Sequence, residues 1–134
     1  SRIAIYPLKS FEPINVSTAS ILPNGALEHD RRFALADATG RIINAKRTAL
    51  VHNLELKLDP LARTLTARHR SATDSVCWSV DHQRDELQQW LSNYFSLDVL
   101  LIEEPAGGFP DDDEATGPTI VSRATLQTVA DWFE

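Results

Sequence analysis

Residues 27–40 read Leu27-Glu28-His29-Asp30-Arg31-Arg32-Phe33-Ala34-Leu35-Ala36-Asp37-Ala38-Thr39-Gly40, and this stretch joins a cluster of charge to a strand and a turn. Phe33 and Leu35 alternate with other residues at the two-residue period of a half-buried strand. An Asp side chain accepts hydrogen bonds from the backbone two residues on, and glycine tolerates a positive φ. The segment from Asp37 to Gly40 therefore predicts a tight hairpin turn, and the charged residues lie at the mouth of the strand.

Two interpretations of the charged residues from His29 to Arg32 remain open. In the first, two adjacent arginines and a histidine, held in place at the strand mouth, form an anion site. In the second, Asp30 pairs with an arginine and the other side chains form a solvated rim. These residues alone favour the second interpretation.

The composition excludes several classes of protein. A chain of 134 residues is long enough for one domain with a sizeable core. Its net charge of −6 argues against a general nucleic-acid or membrane-surface binder, and no apolar run reaches the length of a transmembrane helix. The single cysteine, Cys77, allows no internal disulfide. We therefore expect a cytoplasmic protein with neither nucleic acid nor a membrane as a partner.

Alternating patterns outside the opening stretch predict many short strands and one internal helix. The predicted strands are 3–6, 14–21, 41–47 (the returning arm of the hairpin), 53–59, 64–68, 75–80, 97–102 (buried on both faces) and 119–121. A helix beginning near Asp81 carries a single apolar stripe: Leu87, Trp90, Leu91, Tyr94 and Phe95. Short strands separated by turn signals predict a mainly β domain with minor α. We expect a small antiparallel or mixed β-barrel, or a sandwich, with one packed amphipathic helix.

The chain changes character after the predicted barrel, which gives three expected segments: 1–104, 105–118 and 119–134. Residues 103–118 hold three prolines, three glycines and the acidic run 111–114, so we expect a mobile linker. The acidic run lacks the alternating spacing of a calcium loop. Ser122 is placed as the N-cap of a last helix, which we expect to pack poorly. The lack of any methionine and the interrupted last helix suggest an excised piece of a longer protein.

The sequence shows no recognisable catalytic or metal-binding arrangement. It contains no glycine-rich phosphate loop, and its four histidines are scattered. We therefore assign no catalytic residue and no metal ligand, and we interpret Cys77 and Trp78 as packing residues.

Three stretches together resemble proteins that carry a MOSC domain. Residues 5–10, Ile5-Tyr6-Pro7-Leu8-Lys9-Ser10, resemble the opening motif of the N-terminal β-barrel domain that precedes MOSC domains. Residues 25–27 and 30–33, followed by Asp37 and Gly40, resemble the second motif of that barrel. Residues 118–126 resemble the entry into the MOSC domain itself, so 119–134 would be its truncated start. The resemblance runs from Ile3 to about Leu126 with a weak middle, and the order of the motifs makes it specific.

The resemblance implies a function in binding the molybdenum cofactor, a pterin that carries a phosphate and a dithiolene-held metal. The family includes the amidoxime-reducing component, its bacterial relatives and the C-terminal part of cofactor sulfurases. In the reductases, a lysine and a serine of the first motif and an arginine of the second hold the anionic end of the cofactor. Those positions are Lys9, Ser10 and Arg31 here, and no position matches the molybdenum-binding cysteine of the MOSC domain.

On this resemblance, the chain is the N-terminal part of a molybdenum-cofactor-dependent oxidoreductase and is inactive alone. Its expected partners are the C-terminal MOSC domain of the same protein and an electron-donor protein. Lys9, Ser10 and Arg31 should face a common pocket that no carboxylate fully neutralises, with Asp30 pointing away or holding Arg31 from behind. The alternatives are a non-catalytic binding module and the barrel of a cofactor sulfurase or carrier.

Several residues depart from the pattern of the family. Residues 11–13 replace the usual basic and glycine-containing stretch, and Phe33 replaces the commoner tryptophan. Residues 47–49 lack a frequent proline, and His29 stands where glycine or arginine is frequent. These departures leave the barrel prediction intact and bear on the shape of the pterin pocket.

Overall fold

Seven strands and three helices occur in residues 2–133, the part of the chain that the computed structural model describes. The strands are β1 (Ile3–Ile5), β2 (Ile14–Val16), β3 (Phe33–Asp37), β4 (Leu54–Asp59), β5 (Thr64–His69), β6 (Val76–Ser79) and β7 (Val99–Glu103). The helices are α1 (Leu50–Asn53), α2 (Arg84–Phe95) and α3 (Arg123–Asp131). The predicted mainly β class is confirmed. Ser1 and Glu134, at the ends of the first and last expected segments, lie outside the described residues.

The three-stranded antiparallel sheet β4–β5–β6 contains the most regular alternation in the sequence. Leu54, Leu56 and Leu58 of β4 are fully buried, and the residues between them are more exposed. Leu56 lies opposite Ala67 of β5, and Leu65 of β5 lies opposite Trp78 of β6. The two-residue period therefore directs one face of this sheet into the core.

The hairpin turn after β3 forms as predicted, but the strand does not pair mainly with the returning arm. Asp37 Oδ1 accepts hydrogen bonds from Thr39 N at 2.8 Å and Arg41 N at 3.1 Å, and Gly40 has a φ of +83°. β3 pairs antiparallel with β7 along its whole length, whereas residues 41–47 contribute an isolated bridge through Ile42. The predicted strand at 41–47 was wrong in extent: Asp37 N donates to Arg41 O at 3.0 Å and Ile43 N to Leu35 O at 2.8 Å, on the edge of β3 opposite β7. Residues 45–47 then form a turn, so the pairing goes no further than the bridge.

Helix α2 packs against β7 and β6 through its predicted stripe. Leu87, Leu91 and Phe95 are buried, and the Trp90 ring lies 5.3 Å from that of Trp78. The helix begins at Arg84 rather than near Asp81, since the preceding residues form a turn. β7 is buried on one face only, because Leu100 is 45% exposed, so the expected two-sided burial was wrong.

Three other sequence predictions are corrected by the structure. Cys77 is exposed rather than packed, because it lies on the outer face of β6 beside the buried Trp78. Residues 119–121 are not a strand, and Ile120 is 92% exposed. The predicted second strand, 14–21, ends at Val16. The Ser122 N-cap is confirmed, since its hydroxyl accepts a hydrogen bond from Thr125 N at 3.0 Å.

The segment that follows β1 is attached to β3, which brings the first motif next to the second. Leu8 forms a parallel bridge to Phe33, and Lys9 N donates to Phe33 O at 2.9 Å. Leu8 and Phe33 are both fully buried, so apolar packing holds this junction. None of the helices formed by residues 2–133 has the length and apolar character needed to cross a bilayer.

Candidate anion-binding site

Lys9 is held at the junction between the first turn and β3, and its ammonium group contacts three consecutive residues of the linker. Nζ donates to the carbonyl oxygens of Phe109 and Pro110, both at 2.8 Å. The same atom lies 3.0 Å from Oδ1 of Asp111. An ammonium group has three hydrogens, so these three acceptors match its donor capacity.

Arg31 is fixed by its backbone on two sides. Its amide donates to Tyr6 O at 2.7 Å, and its carbonyl accepts from Phe109 N at 2.8 Å. Its Nη2 atom lies 3.4 Å from Oδ2 of Asp111, which is the carboxylate that also binds Lys9. The structure thus brings Lys9 and Arg31 together on the two oxygens of one carboxylate.

Asp30 connects Arg31 to the end of β1. Its Oδ1 atom accepts a hydrogen bond of 2.7 Å from Tyr6 N, and its Oδ2 atom lies 3.9 Å from Nε of Arg31. Asp30 contacts Nε, whereas Asp111 contacts Nη2, so the two acids meet Arg31 through different nitrogens.

We expected a pocket that no carboxylate fully neutralises, and Asp111 ion-pairs with both cations while carrying one negative charge against their two positive charges. The Lys9 ammonium, foremost through its hydrogen bond, holds the pKa of the Asp111 carboxyl below its usual range. The positive charges of Arg31 and Lys46 lower that pKa further. Lys9 and Arg31 carry two positive charges and Asp30 and Asp111 two negative ones, so these four groups sum to zero.

Three residues of the site segments have left-handed backbone conformations. The φ angles are +73° at Ser10, +67° at His29 and +49° at Arg31. Non-glycine residues rarely adopt positive φ, and such conformations persist only where surrounding contacts enforce them. The two motifs therefore combine cationic side chains with a constrained backbone.

Gly108 lets the linker approach the Arg31 segment closely. Its φ is +67°, and an added Cβ would lie 2.8 Å from Asp30 O and 2.9 Å from Arg31 O. Both the positive φ and this close approach require glycine here. The next residue, Phe109, then donates its amide to Arg31 O.

Ser10 is exposed and lines a neighbouring cleft rather than joining the contacts to Asp111. The cleft has a volume of about 420 Å³, and its wall combines apolar and polar side chains. Its lining residues include Tyr6, Phe11, Val51, Arg70 and Glu12, the last two of which form an ion pair. Lys9 and Ser10, although adjacent in sequence, thus belong to two neighbouring surfaces.

The other members of the charged cluster do not join the contacts to Asp111. Arg32 donates from Nε to Glu103 Oε1 at 2.7 Å, and Arg63 contacts the same carboxylate. The Nδ1 atom of His29 is buried and has no hydrogen-bond partner within residues 2–133. The second of the interpretations left open paired Asp30 with an arginine, and Asp30 lies 3.9 Å from Nε of Arg31, whereas Arg32 pairs with Glu103. The anion-site interpretation stays a prediction.

Sequence reasoning missed Asp111 and Lys46. Asp111 belongs to the acidic run of the expected mobile linker, and its neighbour Pro110 is separated from Lys9 by 101 residues. No local pattern indicates such a contact. Lys46 belongs to no recognisable motif, and it is noticed only because its positive charge acts on Asp111 in the folded structure.

The residues of this site fit an anion and not a metal. Lys9 and Arg31 bind a carboxylate, whose two anionic oxygens accept hydrogen bonds from these cations as two oxygens of a phosphate do. Within residues 2–133, no group of three histidines, cysteines or acids is arranged to hold a metal ion.

Comparisons with known proteins identify the family. A search of curated proteins found no match to this chain. The family model described as the MOSC N-terminal beta barrel domain matches residues 1–98, which include Lys9, Ser10 and Arg31. Because the matched region covers well over half of the 134 residues, the chain belongs to the MOSC N-terminal beta barrel domain family.

Proposed function

We propose that this domain is the N-terminal part of a molybdenum-cofactor-dependent oxidoreductase and supplies anion contacts to the cofactor. Lys9, Ser10 and Arg31 are the residues that would hold the anionic end. When bound, the cofactor would supply the redox-active metal at which the substrate is reduced. The domain is not catalytic by itself, and the proposal assigns the parent protein to the cytoplasm.

The observation that carries this proposal is the shared carboxylate of Lys9 and Arg31. Two cations from motifs about twenty residues apart meet on one oxyanion, with N–O distances of 3.0 and 3.4 Å. A point charge beside a planar guanidinium suits a phosphate, which offers several acceptor oxygens. The left-handed conformations of Ser10 and Arg31 support a functional interpretation, because strained backbone concentrates at binding sites.

The proposal divides the protein into a barrel of residues 1–104, a linker of residues 105–118 and the start of a MOSC domain at 119–134. The C-terminal MOSC domain is the partner that would supply the metal ligand and the rest of the pocket. Exposed apolar side chains in the last segment support this division: Ile120, Leu126, Trp132 and Phe133. An electron-donor protein is the second proposed partner.

The test uses the full-length protein, purified after expression with the cofactor pathway present. Molybdenum and oxidised pterin per polypeptide are measured for the wild type, Lys9→Gln and Arg31→Gln. Arg41→Gln is the matched control, because Arg41 is exposed and lies at the hairpin turn. Charge-assisted hydrogen bonds contribute about 1.5–3 kcal/mol each, so each site variant should bind the cofactor at least about tenfold more weakly than the wild type.

The rate at which the cofactor is lost on dilution decides whether Lys9 and Arg31 contact it. Lys9→Gln and Arg31→Gln should release pterin faster than the wild type and Arg41→Gln. Equal retention by all four proteins would reject Lys9 and Arg31 as cofactor contacts. Turnover of an N-hydroxylated substrate by residues 1–134 alone would reject the non-catalytic assignment.

A further inference from the structure

The ammonium group of Lys9 is fully engaged by one short segment of the chain. Phe109 O, Pro110 O and the Asp111 carboxylate take its three donors, and the Lys9 side chain is only 13% exposed. An external anion can reach Lys9 only if one of these acceptors leaves. Of the three acceptors only the carboxylate is an anion, so it is the one that another anion can replace.

Asp111 is the least anchored part of this segment. Its side chain is 72% exposed, so most of its surface already contacts solvent. Gly108 and Phe109, by contrast, are tied closely to the backbone of Arg31. On the other side of Asp111, the Asp112 side chain accepts from Glu114 N, which forms a local turn. Asp111 can therefore leave the cations while residues 108–109 stay in place.

The charge balance changes with Asp111. While its carboxylate is in place, the positive charges of Lys9 and Arg31 are matched by Asp30 and Asp111. When it leaves, one positive charge remains unmatched, and Lys46 adds a further positive charge near that position. The vacated position then attracts an anion with at least two acceptor oxygens.

We propose that Asp111 is an internal competitor for the anion site, so that a phosphate group binds Lys9 and Arg31 by displacing its carboxylate. This inference rests on the proposed function, because it concerns the same two cations. It adds that the linker controls access: the carboxylate satisfies the cations until a phosphate monoester or diphosphate replaces it. Affinity for phosphate is then set partly by residue 111, which lies outside both motifs.

The experiment titrates the chain of residues 1–134 with inorganic phosphate at constant ionic strength and follows amide resonances by NMR. The proteins are the wild type, Asp111→Asn, Asp111→Ser and Asp113→Asn. Asp113 is exposed and lies in the same acidic run, so Asp113→Asn changes the net charge equally and serves as the control. Lys9→Gln identifies the binding that depends on the site.

Both Asp111 variants should bind phosphate about three- to tenfold more tightly than the wild type. In the wild type, phosphate must first break the ion pairs of Asp111, and exposed ion pairs contribute only a modest free energy. Asp113→Asn should match the wild type within about twofold. In the wild type, phosphate should shift the amides of residues 111–112 together with those of Lys9 and Arg31. Asp111→Asn and Asp111→Ser are tested separately, so that misfolding of one variant does not decide the result.

Two results overturn the inference: the first leaves the proposed anion site in place, and the second rejects it. If phosphate shifts Lys9 and Arg31 equally in all proteins except Lys9→Gln, the anion site stands and Asp111 is not a competitor. If no protein, including both Asp111 variants, shows a shift that Lys9→Gln abolishes, the anion site itself is rejected.

Discussion

Arg63 donates two hydrogen bonds of 3.0 Å each to the two carboxylate oxygens of Glu103. Arg63 lies in the turn between β4 and β5, and Glu103 ends β7, so this pair connects the β4–β5–β6 sheet to the β3–β7 sheet. The guanidinium carbon of Arg63 also lies 5.5 Å from the centre of the Phe33 ring. Phe33 and Glu103 lie opposite each other in the β3–β7 register. The Arg63–Glu103 ion pair therefore stabilises the start of β3, the strand that follows Arg31.

Replacing Glu103 with glutamine should destabilise the domain. The side chain is 18% exposed and accepts from Arg32 and Arg63, so Glu103→Gln weakens several charge-assisted bonds at once. Such bonds contribute about 1.5–3 kcal/mol each when well shielded, and partial exposure reduces this, so we expect a loss of about 1–2 kcal/mol. Urea unfolding at pH 7 measures it. Glu28→Gln, at an exposed position, should change the free energy of unfolding by less than about 0.5 kcal/mol.

The same carboxylate predicts a pH dependence of stability. The hydrogen bond from Arg63, followed by that from Arg32 and by both positive charges, holds the pKa of Glu103 below its usual range. A lowered folded-state pKa stabilises the protein above the unfolded pKa of about 4.3, and that contribution is lost as the pH falls through the folded value. The difference in unfolding free energy between wild type and Glu103→Gln should therefore shrink between pH 7 and pH 3. A difference of constant size would contradict this assignment.

Truncating a leucine on the inner face of β4 should cost far more than truncating one in the turn that follows. Leu56 is fully buried, whereas Leu61 is 83% exposed. Leu56→Ala removes buried methyl groups and leaves a cavity, which costs about 2–5 kcal/mol. Leu61→Ala should cost less than about 0.5 kcal/mol. Thermal unfolding followed by circular dichroism compares the two variants with the wild type, and similar midpoints for both would refute the register of β4.

Those leucines also show what the sequence could predict. Perfect alternation over 53–59 and the stripe on α2 specify a buried face directly, because burial follows the period of the element. The partner of β3 was missed for a different reason. Asp37 and Gly40 define a turn, and residues 41–43 do bond to β3 beside it. That β7 pairs along the whole of the other edge depends on packing across the core, which a local pattern does not report.

Gly108→Ala should disturb the linker more than Gly40→Ala, although both glycines have positive φ. An added Cβ at Gly40 meets nothing within 4 Å, so that variant carries only the cost of about 1–2 kcal/mol for an alanine with positive φ. At Gly108 the Cβ would meet the carbonyl oxygens of Asp30 and Arg31 at under 3 Å. We expect loss of the hydrogen bond from Phe109 N to Arg31 O, seen as faster amide exchange at Phe109. Unchanged exchange in Gly108→Ala would mean that the segment tolerates the methyl group.

The candidate site divides between what motifs can indicate and what only the fold reveals. Lys9 and Arg31 were found because each lies in a short motif of fixed order. Asp111 was not, because its contact with Lys9 follows from the path of an irregular linker. An acidic run in a proline- and glycine-rich segment looks the same in sequence whether its side chains are solvated or ion-paired.

Hydrogen exchange across the linker should reveal two regions with different protection. Phe109 N is bonded to Arg31 O and Gly108 N to Glu104 O, so both amides should be protected relative to those of Asp112 and Asp113. The expectation of a mobile linker would then apply mainly after Asp111. Helix α3 has no buried residue, and a nine-residue helix without tertiary packing is marginal in water, so its amides should exchange fastest among the helices. Protection of α3 equal to that of α2 would show that its exposed apolar side chains are covered in solution, and protection of Asp113 equal to that of Phe109 would show that the entire linker is ordered.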